Sequence, residues 1–375
     1  MKLVFLIDCL SSGGAQRQML ILARGLLRRG EDVAILTYHP GGLFVHEAKG
    51  DVPVITLEPR TRTEKVRQVR QWLNAYAPDV VHAFLPTPSA VAELAGLGGR
   101  SWKLVVSERN NYRGTRRLRI RFKALRFLHR SADWITTNSH TNAAAIIADT
   151  PSLRSRLSVI ANAVDTTVFA PAPEHRASRD DGAHRFLCIA SMAPSKNPLG
   201  VVEALALLRQ HARIPFTLKW VGRCDMNDPE QVQNLNAVQA RVQELGLESV
   251  FTFAGESADT PRELRAADSL VLASFYEGFP NVVCEAMATG IPVVASAVSD
   301  VPDVIDDGKD GFLCQPEAPA SIARALEQCL LLTAEDRQRI SSISREKAIR
   351  LFGIERFLDE HMTLFRHVRD MERVR

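Results

Sequence analysis

Two carboxylates eight positions apart, Glu277 and Glu285, sit in the stretch SFYEGFPNVVCEAMATGIPVVAS, residues 274–296. The preceding residues, 269–273, are apolar after Ser269 and read as a strand. Glu277 and Gly278 then fall in a loop, and Pro280 takes the place of a first helical residue. The helix carries Val282, Val283, Ala286 and Met287, and Gly290 closes it. A helix that follows a strand opens its N-terminus toward the carboxyl edge of the sheet, where unpaired N–H groups favour an anion. A carboxylate such as Glu285 can accept two hydroxyl hydrogen bonds from a ribose. Spacing by itself fits equally well a helix-start charge and a solvated side chain.

A second feature is basic. From Arg109 to Arg130 there are nine Lys or Arg and no acidic residue, although the whole chain carries a net charge of only +4. Within it, Leu118, Phe122, Leu125 and Leu128 recur at helical spacing, leaving a basic opposite face. Such a helix suits an anionic membrane surface, with Arg116, Arg117, Arg119 and Arg121 as the contacting residues. Nucleic acid is not expected as a partner, because aromatic interleaving and any recognisable binding module are absent.

These features need elements to hold them. Strand-like runs at 2–7, 33–37, 54–57, 80–84, 103–107, 134–137 and 157–160 alternate with helical patterns. In the clearest helix, residues 14–29, Ala15, Met19, Leu22, Ala23 and Leu26 form one apolar stripe, and Gly30 supplies the stop. PAPEHRASRDDGAH, residues 171–184, reads as a linker. The alternation restarts with strands at 185–190, 216–221, 250–253, 269–273 and 292–296. The expected class is therefore α/β, with two doubly wound, Rossmann-like domains facing across a cleft. The expected boundaries are 1–170, an acceptor-binding domain; 171–184, the linker; 185–350, a nucleotide-sugar-binding domain; and 351–375, a helix packing back on the first domain.

With 46% hydrophobic and 24% charged residues, the composition is that of a globular protein. The opening apolar run is ended by Asp8 and is too short for a signal-peptide core. No run approaches the roughly 18 apolar residues of a membrane span. Cys9, Cys188, Cys224, Cys284, Cys314 and Cys329 form no CxxC pair, so buried, reduced thiols of a cytosolic protein are expected.

Residues 274–296 resemble the donor-binding signature of the retaining glycosyltransferases of family four, whose fold is called GT-B. The resemblance runs along the chain. SSGGAQRQMLILARGLLRRG (11–30) matches a Gly-Gly loop and first helix; IANAVD (160–165) with Phe169 matches an Asn-Gly-Val-Asp turn, with Ala163 for the Gly. FAGESADTPRELRAADSLVLAS (253–274) and DVPDVIDDGKDGFL (300–313) follow in family order.

The resemblance implies that Glu285 binds the donor ribose and Glu277 the hydroxyls of the transferred sugar. It implies backbone N–H groups around Gly278, Phe279 and Asn281 as a cradle for sugar or phosphate. Gly14 lets the first helix approach the reacting groups, and Lys196, in SMAPSKNP, neutralises the leaving diphosphate; Gly13, Asn197 and Gly222 complete the donor set. The family's Gly-Arg-Leu before this Lys is here Ala190, Ser191 and Met192, so a phosphate-clamping Arg is missing, and Arg223 is a candidate substitute. His82, in DVVHAFLPTPSA, occupies the first position of a family His-x-His whose second is Phe84. It is either an acceptor-side or catalytic residue alongside Lys196 and Glu277, or a core histidine. Glu108, Arg109 and Asn110 end the next strand as acceptor-side candidates.

The implied activity is transfer of a hexose from a nucleoside diphosphate sugar, a UDP-sugar by expectation, to a hydroxyl of a lipid-linked or envelope saccharide with retention of configuration. No cofactor is expected beyond the nucleotide-sugar co-substrate, and no metal, since no Asp-x-Asp pair ends a strand. The expected location is cytoplasmic, peripheral at the inner face of the membrane. The rival readings are a sugar-nucleotide epimerase, which would need acid–base residues for proton abstraction, and a non-catalytic nucleotide-sugar-binding protein.

Overall fold

The computed structural model describes residues 1–11, 13–42, 44, 50–109, 125–172 and 182–372. Asn110, Arg116, Arg117, Arg119 and Arg121 lie outside the described residues, as does most of the 171–184 segment. The chain divides into two compact units, one of Met1–Ala163 with Ile354–Arg375 and one of Val164–Gly353.

The first unit is built on a parallel sheet of β1 (Lys2–Leu6), β2 (Asp32–Thr37), β3 (Val54–Thr56), β4 (Val80–Phe84), β5 (Lys103–Glu108), β6 (Trp134–Thr137) and β7 (Leu157–Val159). Its order is β3-β2-β1-β4-β5-β6-β7. The side chains of β4 and β5 are buried throughout, which a parallel sheet achieves only with helices on both faces. Alternation along β1 divides the core. Leu3 and Phe5 pack with Met19, Leu22 and Leu26 of helix Gly14–Arg28 and with Phe357, Leu358 and Phe365 of the terminal helix Ile354–Asp370. Val4 and Leu6 face Val69 and Leu73 of helix Arg62–Tyr76 on the other side.

The terminal helix belongs to this core because helix Gly14–Arg28 lets it approach. A Cβ on Gly25 would lie 2.5 Å from Leu358 Cδ2, so a larger residue there would force the leucine side chain to move. Arg29 fixes the helix pair by ion pairs to Glu355 and, at 2.7 Å, to Asp359. Buried Gln18 ties the first helix to the end of the unit, donating to the Ala163 carbonyl (2.8 Å) and accepting from its N–H (2.7 Å).

The second unit holds β8 (His184–Ile189), β9 (Phe216–Val221), β10 (Phe251–Gly255), β11 (Ser269–Leu272), β12 (Val293–Ser296) and β13 (Phe312–Cys314), all parallel, in the order β10-β9-β8-β11-β12-β13. Two doubly wound sheets were expected and are found. The edge strand β13 was not foreseen. It is three residues long after the turn-rich DDGKDG, too short to show alternation, and exists through its pairing with β12.

In each sheet two strands that are not consecutive lie side by side: β1 with β4, and β8 with β11. Winding reverses there, and the carboxyl ends of such a pair open a crevice for ligands. Among the described residues no helix is long and apolar enough to cross a membrane. All six cysteines are free, and burial pushes the Cys188 and Cys284 thiols up, so they pack as neutral groups.

Candidate active site

The loops after β8 and β11 meet at the reversal point of the second sheet. After β8 a 3-10 turn, Pro194–Lys196, ends at Asn197, whose backbone is left-handed (φ 57°). Asn197 caps helix Pro198–His211: its Oδ1 accepts from Gly200 N at 3.1 Å, while its Nδ2 donates to the Pro316 carbonyl at 2.7 Å. Expected to bind donor, its side chain is instead committed at both ends to holding the turn. That turn presents Lys196.

After β11 the chain enters the loop of Ser274 and Glu277. Lys196 Nζ donates to Glu277 Oε1 at 2.7 Å, and Ser274 Oγ donates to the same oxygen at 2.6 Å. The backbone joins the loops as well, through Phe275 N–H to the Ser195 carbonyl at 2.9 Å. Ser299, 22 positions downstream, brackets the Glu277 peptide. Its Oγ donates to the Glu277 carbonyl at 2.7 Å and lies 3.2 Å from the Glu277 N–H, which donates to it. Ser299 is itself left-handed (φ 52°), a conformation that costs energy for a residue with a Cβ. Neither serine was singled out from the sequence.

Pro280 precedes helix Asn281–Thr289, whose first turn has neither a side-chain cap nor an acidic residue. Its positive N-terminus is thus available to an anion. The expected cradle needs one correction: the Asn281 N–H donates to the Phe279 carbonyl at 2.9 Å, so it is not directed at a ligand. Phe279 is buried edge-on to Phe352, with centroids 5.9 Å apart. Gly278 and Glu285 are half-buried. Gly222 follows β9 where a Cβ would collide with the Ala190 carbonyl, so its glycine is required by packing of the β8 and β9 loops. Arg223 comes next, its N-terminal neighbour strand tied to the β8 loop through Met192 N–H to the Arg223 carbonyl at 3.0 Å; its side chain is 60% exposed, 3.5 Å from Asp225.

In the first unit, Gly13 precedes helix Gly14–Arg28, which likewise lacks a side-chain cap and acidic residues in its first turn. The other candidates there are structural. His82 is 1% exposed, with Phe84 at 4.3 Å, Phe365 at 5.5 Å and His361 at 5.8 Å between ring centroids. Burial, reinforced by His361 and Arg109, holds its pKa well below the usual value. A neutral ring enclosed in the aromatic core fits the core-histidine alternative and not the catalytic one.

Glu108 is also buried. Arg126 Nε reaches both its oxygens, at 3.0 and 3.1 Å, and His129 Nε2 lies 3.5 Å away. Burial opposes its charge, but the hydrogen bonds from His129 and Arg126 keep its pKa below normal. Arg109 donates to Ser107 Oγ (3.1 Å) and Asn162 Oδ1 (2.7 Å) and lies over the Phe84 ring. Burial lowers its pKa to about 10, leaving it charged. Both residues brace the fold, which corrects their reading as acceptor contacts.

Two Rossmann-like units, the second with an ammonium, a carboxylate and an uncapped helix at its reversal point, define the GT-B class of sugar-nucleotide enzymes. Residues 12–168 match the Glycosyltransferase Family 4 description and residues 183–331 that of the Glycosyl transferases group 1. The chain belongs to this family and is a glycosyltransferase. It is 24% identical, over 99% of each chain, to the Campylobacter jejuni enzyme named GalNAc-alpha-(1->4)-GalNAc-alpha-(1->3)-diNAcBac-PP-undecaprenol alpha-1,4-N-acetyl-D-galactosaminyltransferase. It is 24% identical to the lipopolysaccharide core biosynthesis glycosyltransferase LpsE of Rhizobium meliloti, over 94% of this chain and 95% of that one. The solved structure of Anabaena HepE in complex with UDP superposes with a TM-score of 0.84 at 20% identity, covering 98% of this chain and 100% of that one.

Proposed function

We propose that the protein transfers a hexosyl group from a UDP-sugar to a hydroxyl of a lipid-linked or envelope saccharide, with retention at the anomeric carbon. The observation that carries this reading is the Lys196–Glu277 pair, 2.7 Å apart beside an uncapped helix N-terminus at the reversal point of the second sheet. The names of the relatives support the acceptor class, since one carries PP-undecaprenol and another lipopolysaccharide core. UDP bound to HepE supports the donor.

In the reaction the bond from the anomeric carbon to the phosphate oxygen breaks and a bond to the acceptor oxygen forms on the same face. The acceptor proton passes to the departing phosphate. Negative charge grows on the diphosphate as the bond breaks, and Lys196 with the positive end of helix Asn281–Thr289 stabilises it in this scheme. Glu277 is held as a hydrogen-bond acceptor by Ser274 and Lys196, which suits it to orient sugar hydroxyls and not to attack the anomeric carbon. Glu285 takes the ribose. No metal is required in this scheme, the cationic part being assigned to Lys196 and the helix. The protein works on the cytoplasmic side, at the membrane surface where such acceptors are anchored.

The test is incubation with a panel of nucleotide sugars while free nucleoside diphosphate is measured. Release from a UDP-sugar, in preference to other nucleotides, is the expected result. No release from any donor overturns the reading.

A further inference from the structure

Ser274 is fully buried just beyond β11, and its one hydroxyl proton is committed to Glu277, donated to Oε1 at 2.6 Å. The same oxygen accepts from Lys196 Nζ at 2.7 Å. Both lengths are those of charge-assisted hydrogen bonds. Oε1 is therefore occupied by two strong donors. Oε2 has no partner among the described residues, so the carboxylate's remaining acceptor capacity lies there.

The two donors differ in how firmly they are held. Lys196 ends a flexible four-carbon stem, its side chain is 24% exposed, and its ammonium has further protons to give. In the reaction proposed above, that ammonium also serves the departing diphosphate. A carboxylate held by the lysine alone would lose its anchor, or follow it, as charge develops. Ser274 has a short side chain and a backbone fixed on both sides. Ser296, 1% exposed at the end of β12, donates through Oγ to the Ser274 carbonyl at 2.6 Å, with the Leu272 carbonyl at 3.4 Å. The next peptide donates Phe275 N–H to the Ser195 carbonyl at 2.9 Å. Three residues along, Ser299 Oγ donates to the Glu277 carbonyl at 2.7 Å. Segment 274–277 is thus tethered at both ends to β12 and the residues after it. The hydroxyl that reaches Glu277 is anchored to the sheet, whereas the ammonium is not.

We propose that Ser274 is a positioning residue of the transfer reaction. It keeps hold of Glu277 Oε1 while Lys196 is shared with the diphosphate, so that Oε2 remains the oxygen offered to the transferred sugar. This rests on the donor reading above, in which Glu277 takes sugar hydroxyls and Lys196 the diphosphate. It assigns Ser274 to the sugar half of the donor and not to the nucleotide half.

The experiment uses the full chain and Ser274→Ala, with folding checked by thermal melting. UDP affinity is read by calorimetry. Release of nucleoside diphosphate is read as kcat at saturating concentration of a UDP-sugar that the wild-type chain turns over. UDP affinity should stay within about twofold of wild type while kcat falls about tenfold, the scale of one hydrogen bond to a charged group. In a Glu277→Ala background the same substitution should change kcat by less than about twofold, because its effect passes through the carboxylate. Wild-type kcat in folded Ser274→Ala overturns the proposal. So does a loss of UDP affinity as large as the loss in kcat, or an undiminished effect in the Glu277→Ala background. No release by the wild-type chain from any nucleotide sugar overturns the donor reading and this proposal together. Normal wild-type release with any of the three preceding results overturns this proposal alone.

Discussion

Lys196 and Glu277 lie 81 residues apart in the chain, yet Nζ and Oε1 meet at 2.7 Å because the loops after β8 and β11 share one reversal point. The lysine is 24% exposed at its side chain and the carboxylate 9%, so the ammonium faces outward from an anchored partner. On the proposed function, a diphosphate bound at the helix N-terminus would meet a cation already held in place. Lys196→Ala should therefore lower donor turnover by about 10²–10³-fold. Glu285→Ala should weaken UDP binding by about 1.5–3 kcal/mol, through loss of ribose hydrogen bonds to a charged acceptor. Calorimetric UDP binding and nucleoside diphosphate release measure the two; wild-type values in both variants would remove these residues from the site.

Ser299 acts at one remove, by fixing the peptide that carries Glu277. Ser299→Gly keeps the left-handed backbone accessible while deleting both hydrogen bonds to that peptide. The expected result is a fall of about tenfold in turnover with little change in thermal stability. Ser299→Ala retains the strained φ without the hydroxyl and should lose stability as well. Equal behaviour of the two variants would show that the positive φ carries no cost and that Ser299 contributes only through its hydroxyl.

What could be read from the sequence followed from local pattern. The apolar runs of β1, β4, β9 and β11 and the stripe of helix Gly14–Arg28 announce themselves within a few residues. Glu277 and Lys196 were legible only by resemblance to a family, since their meeting depends on strand order. Ser299 was invisible because its role rests on a positive φ and a partner 22 positions away. His82 and Glu108 misled for a related reason: each is a polar residue in a strand near a carboxyl edge. What covers His82 is Phe365 of the terminal helix, far along the chain, and what neutralises Glu108 is Arg126, 18 positions downstream, neither contact showing in the strand's own pattern. Asn197 followed by Pro198 is a helix-start signal, and the structure uses it as one.

By the family resemblance, Ser191 stands where a phosphate-clamping Arg is expected. Ser191→Arg should tighten nucleoside diphosphate binding or leave it unchanged, as read by calorimetry with UDP. A large loss of affinity in a stably folded variant would mean that another cation, such as the neighbouring Arg223, already fills the pocket.

Adsorption to membranes is a separate expectation, carried by Arg116, Arg117, Arg119 and Arg121. Basic residues at an anionic surface contribute about 1 kcal/mol each, screened beyond roughly 8 Å at physiological salt. Co-sedimentation with anionic vesicles should exceed that with neutral ones and fall as salt rises. Replacing the four by Gln should abolish it while donor hydrolysis continues. Equal sedimentation with both vesicle types would leave these charges merely solvated, and loss of hydrolysis would place them in the active site.

Three buried histidines give the first unit opposing pH limbs. Burial holds the pKa of His361 down at about 3, and that of His82 well below normal. Below about 6.5 the unfolded chain takes up protons that these folded rings refuse, so their contribution is full above about 6.5 and is lost as the medium becomes acid. His129 runs the other way. Burial alone would lower its pKa, but hydrogen bonds to Glu108 and Glu93 raise it to about 9, so its contribution is full below about 6.5 and disappears as pH rises through 9. The two carboxylates that face it shift in opposite senses, Glu93 upward through burial and Glu108 downward, and titrate on the acid side. Protection of β4 and β5 amides from hydrogen exchange, corrected for intrinsic rates, should therefore peak near neutrality. His129→Gln should flatten the alkaline limb, whereas His361→Leu should shallow the acid limb, each histidine accounting for up to about 1.4 kcal/mol per pH unit. An alkaline limb that survives His129→Gln unchanged would show that this histidine is neutral in the folded chain.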